Sequence, residues 1–298
     1  MKLFVFAAMC SLLDGARFAA HAADVWGYEG KYGPDSWEGL CNTGEYQSPI
    51  DIVTDDAVKT DLSSLKFTKY DFAFRADVIN TGHGIQIVTV GIPIPLKGGS
   101  LPYTYYLEQM HFHWGAEHTI NGEQDALELH FVHYARQYDN VTYASEFKNG
   151  VAVVAVLFEI SNEDNDYLEQ IIDAVQDVSL INSNVTRRTL ASKLIPSLLL
   201  PKDHTSYYRY YGSLTTPSCQ EAVIWTILSN KLSISVSQIE IFKKVRSFNE
   251  TLAYNNRPIQ KLGHRTVYHH LEGYSSAQNP LPGSFLMFLT VLSILTQI

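Results

Sequence analysis

QMHFHW, from Gln109 to Trp114, is the stretch on which the fold reading turns. Its two histidines stand two positions apart in an apolar, aromatic run. On a strand, alternate side chains share a face, so His111 and His113 point the same way. On a helix they would diverge by about 200° and could not hold one ion. A second run, ELHFVH from Glu128 to His133, follows a turn containing Gly115 and Gly122. Paired antiparallel with the first, it offers His130 to the same point. Three neutral imidazoles without thiolate or carboxylate suit Zn2+ in an open site, with water as the fourth ligand. Period two also puts Gln109 beside His111 and His113, and Glu128 beside His130. Both are acceptors able to fix the ring tautomers.

Spacing alone leaves rivals. HxHxxxE, from His111 through Glu117, matches the first half of a cupin metal motif. A cupin would place glycine where Tyr105 sits and asparagine where Tyr134 sits. Neither HxHxDH, for a metallo-beta-lactamase-like hydrolase, nor HExxH, for a zincin, occurs.

Outward from the histidines, short strand-like runs dominate: Ile85 to Ile92, Tyr103 to Trp114, Ala126 to Tyr134, Val151 to Ile160 and Ala222 to Ile227, separated by Gly, Pro, Asn and Asp. Asp166 to Val178 has the apolar spacing of an amphipathic helix. Another helix is expected near Ser237, where Ser237 and Glu240 have capping-box spacing. The fold class expected is mainly β with surface helices (α+β), one domain over 24–272 around a large, twisted, mostly antiparallel sheet. A composition of 46% hydrophobic and 18% charged residues fits an ordinary globular protein. The net charge of -9, with no long run of Lys and Arg, argues against a nucleic-acid partner.

The two ends read as processing signals. Lys2, the apolar stretch Leu3 to Leu13 and the small residues Ala20, Ala22 and Ala23 describe a secretory signal peptide over 1–23; a buried N-terminal helix is the alternative. The apolar tail Phe285 to Ile298 falls short of the ~20 residues that a spanning helix needs. With small residues upstream and a polar, proline-containing spacer, 273–298 reads as a glycosylphosphatidylinositol (GPI) attachment signal, joined at Ser275 or Ser276. A docked C-terminal helix would be the alternative. Removal of the leader takes Cys10 with it. The remaining Cys41 and Cys219 are expected to bridge in an oxidising compartment, the alternative being two buried thiols. Asn140, Asn184 and Asn249 each head an N-glycosylation sequon.

The wider series of motifs resembles the alpha carbonic anhydrases in order and spacing: WGY at Trp26, QSPIDI at Gln47, NTGH at Asn80, QMHFHWG at Gln109, EHT at Glu117, ELHFVHY at Glu128, GSLTTPS at Gly212, VIW at Val223 and NNRP at Asn255. The resemblance implies zinc held by His111, His113 and His130, supported by Gln109, Glu128 and the Asn255 carbonyl. Thr215 matches the gatekeeper hydroxyl that donates to Glu117. Val132, Val153, Leu214 and Trp225 match the apolar wall for carbon dioxide, with the Thr216 hydroxyl nearby. His83 matches the proton shuttle, and Tyr28 and Gln86 the residues that order its water chain. Thr81 stands at a neighbouring position where vertebrate relatives often carry Asn, so that water network is expected to differ.

The activity implied is sulfonamide-sensitive hydration of carbon dioxide to bicarbonate at the outer membrane leaflet, on a lipid anchor. The alternative, a silent binding module, belongs to members lacking zinc ligands. His118 and His133 are read as structural hydrogen-bond formers, and His204, His264, His269 and His270 as surface or structural residues.

Overall fold

The computed structural model describes residues 26–179, 186–247 and 251–275. The expected signal peptide, the apolar tail with Ser276, and the sequons at Asn184 and Asn249 lie outside them. Among the described residues a thirteen-stranded sheet runs through the molecule. Its middle is built from β1 (Arg75–Asn80), β2 (Ile85–Val90), β3 (Tyr105–Trp114), β4 (Leu127–Ala135), β5 (Val151–Ser161), β6 (Tyr207–Gly212) and β7 (Val223–Leu228). In space these follow the order β1-β2-β3-β4-β5-β7-β6. Neighbours are antiparallel except β5 and β7, which run parallel.

β4, β5 and β7 are buried on both faces, and β5 and β7 accordingly read as nearly continuous apolar runs. Alternation still sorts them. Leu129 and Phe131 of β4, with Val154 and Val156 of β5, enter the larger core. Val132, Val153, Ala155 and Trp225 turn to the other face with the histidines. The helix Glu169–Val178 covers the larger core with Ile171, Ile172, Val175 and Val178. It follows a 3-10 turn at Asp166–Leu168, so the expected helix opens in a tighter turn capped by Asn165.

The second helix, Val236–Phe242, corrects the expected cap. Ser235, with extended backbone, accepts the Gln238 N–H at 3.1 Å, and the Gln238 side chain reaches back to the Ser235 N–H at 3.3 Å. Ser237 already lies in the first turn, where its hydroxyl bonds Asp164 at 3.0 Å. Glu240 pairs with Lys243 at 2.9 Å. The expected strand to Ile92 stops at Val90, before Gly91 at φ 137°.

His133 is fully buried and donates from Nδ1 to the Ala152 carbonyl at 3.1 Å. Its Nε2 therefore accepts from the Tyr70 hydroxyl. Burial pulls this imidazole down to about 4. Below the ordinary value of about 6.5 the unfolded chain takes a proton that the folded chain refuses. Stability is therefore lost as pH falls from about 6.5 towards 4, by about 3 kcal/mol from this ring. The His133 ring is expected to remain neutral at pH 5 by nitrogen NMR; a protonated ring at that pH would contradict this.

Candidate metal centre and cavity

The strand register places the histidines. His111 lies opposite His130, and Glu128 opposite His113, across the antiparallel β3–β4 pair. All three rings face a cavity of about 280 Å³. Each outer nitrogen is engaged. His111 Nδ1 meets Gln109 Oε1 at 2.9 Å, His113 Nδ1 meets the Asn255 carbonyl at 2.7 Å, and His130 Nε2 meets Glu128 Oε1 at 2.6 Å.

Those partners are all acceptors, so each ring spends its N–H on them. The inward nitrogens, Nε2 of His111 and His113 and Nδ1 of His130, are left as lone pairs. Ligating atoms of the three residues lie within 4.8 Å of one another. His130 Nδ1 and His111 Nε2 are 3.2 Å apart, yet neither has a proton to share. His113 Nε2 is buried without a hydrogen-bond partner. Three converging lone pairs repel unless a cation lies between them. The 3.2 Å spacing is close to the ~3.3 Å edge of a tetrahedron with zinc–nitrogen bonds of ~2.0–2.1 Å. The residues fit zinc.

Burial favours the neutral form of His111 and His113. Burial, then the neighbouring imidazoles, holds His111 well below the ordinary histidine range. Burial lowers His113 despite Glu117 nearby. Burial alone would raise Glu128, but its close contacts with His118 and His130, hydrogen bonds included, outweigh it and hold the carboxyl well below its usual range. Glu128 Oε1 also receives His118 Nδ1 at 2.7 Å, and Oε2 receives the His118 backbone N–H at 2.8 Å. The Tyr210 hydroxyl joins His118 Nε2, at 2.7 Å, to Ser48 Oγ, at 2.9 Å. Glu128→Gln is expected to weaken zinc affinity 10–100-fold in a chelator competition, because it removes the charge that orients His130. Unchanged affinity would count against this.

Besides the three histidines, the cavity is lined by Tyr28, His83, Gln86, Gln109, Val132, Val153, Leu214, Thr215, Thr216, Trp225 and Asn255. Glu117 and Glu128 are buried outside that lining. The expected Thr215–Glu117 hydrogen bond is not formed. Glu117 Oε1 accepts the Arg257 backbone N–H at 2.9 Å, and Oε2 has no hydrogen-bond partner. Glu117 Oε2 lies 3.5 Å from His113 Nε2, but a neutral ring makes this no ion pair.

His83 stacks flat on Trp26, with centroids 3.7 Å apart, and burial lowers its pKa. Thr81 shapes the turn carrying it, giving its hydroxyl proton to the Gly84 carbonyl at 3.1 Å and accepting the His83 N–H at 3.3 Å. A larger cavity of about 740 Å³, around Tyr46, Phe147, Tyr211 and Arg265, contains no histidine.

The Cys41–Cys219 disulfide is present, with a sequence separation of 178. It fastens the loop that carries Thr215 and Thr216 to the N-terminal segment. Arg257, itself buried, adds bonds to the Cys41 carbonyl at 2.7 Å, Gln47 Oε1 at 2.9 Å and the Ser48 carbonyl at 2.8 Å.

The eukaryotic-type carbonic anhydrase family model matches residues 32–271. The chain belongs to that family. Carbonic anhydrase 4 of Rattus norvegicus is 33% identical over 272 residues, covering 87% of this chain and 86% of the rat protein. Carbonic anhydrase 4 of Oryctolagus cuniculus is 33% identical over 261 residues, covering 84% and 83%. As a carbonic anhydrase, the chain is an enzyme.

Sequence reasoning passed over three contributors. Trp26 stands out only as part of the WGY motif, far from His83 in sequence, so its stacking on that ring carries no local signal. Val141 lines the cavity from the short helix Val141–Ala144, which no periodicity could reveal in four residues. The Ser48–Tyr210–His118 chain joins distant segments and carries no local signal.

Proposed function

We propose that this enzyme catalyses the zinc-dependent, reversible hydration of carbon dioxide to bicarbonate and a proton. The reading is carried by the three inward imidazole nitrogens, each left as a lone pair because an acceptor behind the ring holds its N–H on the outer nitrogen. His111, His113 and His130 would hold the zinc. Bound there, zinc lowers the pKa of water from 15.7 to about 7, a shift for which carbonic anhydrases are themselves the standard example.

The chain's own residues supply the rest. Val132, Val153, Leu214 and Trp225 form an apolar wall that receives an uncharged substrate without desolvation cost. The Thr215 and Thr216 hydroxyls stand over the same space and orient the attacking oxygen. Glu117 Oε2 remains open to a hydroxyl donor, the role assigned to Thr215. His83, at the cavity wall and with a lowered pKa, is neutral near pH 7 and ready to take the released proton. Trp26 holds that ring by stacking. Tyr28 and Gln86 line the route between.

Stopped-flow carbon dioxide hydration on zinc-loaded protein tests the proposal. A rapid, sulfonamide-sensitive rate is expected, and a rate no faster than free zinc would reject it.

The setting proposed is the extracellular face of the plasma membrane, on a GPI anchor at Ser275 or Ser276 after removal of 1–23. The support is the pair of terminal signals, the disulfide and the sequons. No helix among the described residues is long and apolar enough to cross a membrane. Ser275 is exposed at the end of the described chain. Phosphatidylinositol-specific phospholipase C is expected to release the enzyme from intact cells; retention while a control protein is released would reject the anchor.

A further inference from the structure

Among the described residues one sequon meets the catalytic cavity. Asn140 is exposed and caps the helix Val141–Ala144, its Oδ1 accepting the Tyr143 N–H at 2.8 Å. Its Nδ2 makes no hydrogen bond among the described residues and is free to react. Val141, the next residue, lines the cavity of the three histidines, and its N–H is fixed to Glu108 Oε2 at 2.6 Å. The cap and this bond fix the backbone here, so that an exposed side chain, Asn140, directly precedes a residue of the cavity lining. Thr142, which completes the sequon, is exposed as well.

We propose that Asn140 is N-glycosylated and that its glycan screens the cavity mouth against macromolecules while carbon dioxide passes freely. The donor is a polyprenyl-pyrophosphate-linked oligosaccharide. The Asn140 Nδ2–C1 bond forms as the sugar C1–O bond breaks, the lipid pyrophosphate leaves, and the amide loses one proton. Oδ1 is unaltered, so the helix cap survives. A branched oligosaccharide is larger than the 280 Å³ cavity that the adjacent Val141 lines, whereas the substrate has three atoms. The proposal rests on the secretory and catalytic readings above.

The test compares the full chain with Thr142→Ala, both made in a glycosylating host. Thr142→Ala removes the sequon but keeps Asn140 and Val141; Asn140→Asp, which keeps an acceptor at the cap, is the second variant. Glycopeptide mass is expected to place a glycan on Asn140 of the parent and none on either variant. Carbon dioxide hydration and affinity for a small aryl sulfonamide are expected to agree within about twofold among all three. A sulfonamide tethered to a bulky polymer is expected to associate at least threefold more slowly with the parent. Unmodified Asn140 overturns the site, and equal association of the polymer probe overturns the screen. Loss of small-sulfonamide binding by all three proteins would instead count against the catalytic reading, while glycopeptide mass would still decide Asn140.

Discussion

Replacing His113 by alanine is expected to remove stoichiometric zinc and to lower carbon dioxide hydration by at least about a thousandfold. The estimate follows from the several kcal/mol a bound metal contributes to transition-state stabilisation, at 1.36 kcal/mol for each factor of ten. His113 is 2% exposed, and its one outer partner is the Asn255 carbonyl. The fold should survive, because β3 keeps its hydrogen bonds and the lost ring faces the cavity rather than the larger core. Stopped-flow hydration and zinc content, with circular dichroism as a folding control, check this. A folded variant retaining zinc and rate would remove His113 from the site.

The second large effect concerns the bridge. Its 178-residue separation gives about 5 kcal/mol on the chain-entropy model, and measured bridges typically yield 2–4 kcal/mol. Replacing Cys41 and Cys219 by serine is therefore expected to lower the melting temperature by about 10 °C in a domain of this size. Activity should fall as well. Cys219 lies four residues after Thr215, and its carbonyl accepts Gln47 Nε2 at 3.1 Å, so the bridge and this bond steady one loop. Calorimetry and hydration assays on the same variant check both effects. An unchanged melting temperature would show that Arg257 and Gln47 brace the loop unaided.

Much of this arrangement was legible because it is local. Histidines at period two in β3 and β4 declare a shared face, and Gln109 and Glu128 fall beside them by the same rule. The pairing and register that bring His130 opposite His111 follow from two neighbouring runs whose histidine-bearing faces must match.

What stayed hidden is long-range. Trp26 reaches His83, Arg257 reaches Glu117 and Cys41, and Ser48 reaches His118 through Tyr210; each contact joins segments whose proximity the sheet order alone creates. The displaced capping box is different. Ser235 and Ser237 both fit the motif, and the end of the preceding strand decided between them, since only Ser235 has extended backbone before the helix.

The central claim is that three neutral imidazoles hold one zinc ion, and zinc K-edge X-ray absorption on metal-free protein given one equivalent of zinc tests it most directly. The expected spectrum shows three imidazole nitrogens at about 2.0–2.1 Å with one further light atom, and loses that pattern in His113→Ala. Failure to take up zinc, or a spectrum that does not change in His113→Ala, would contradict the claim.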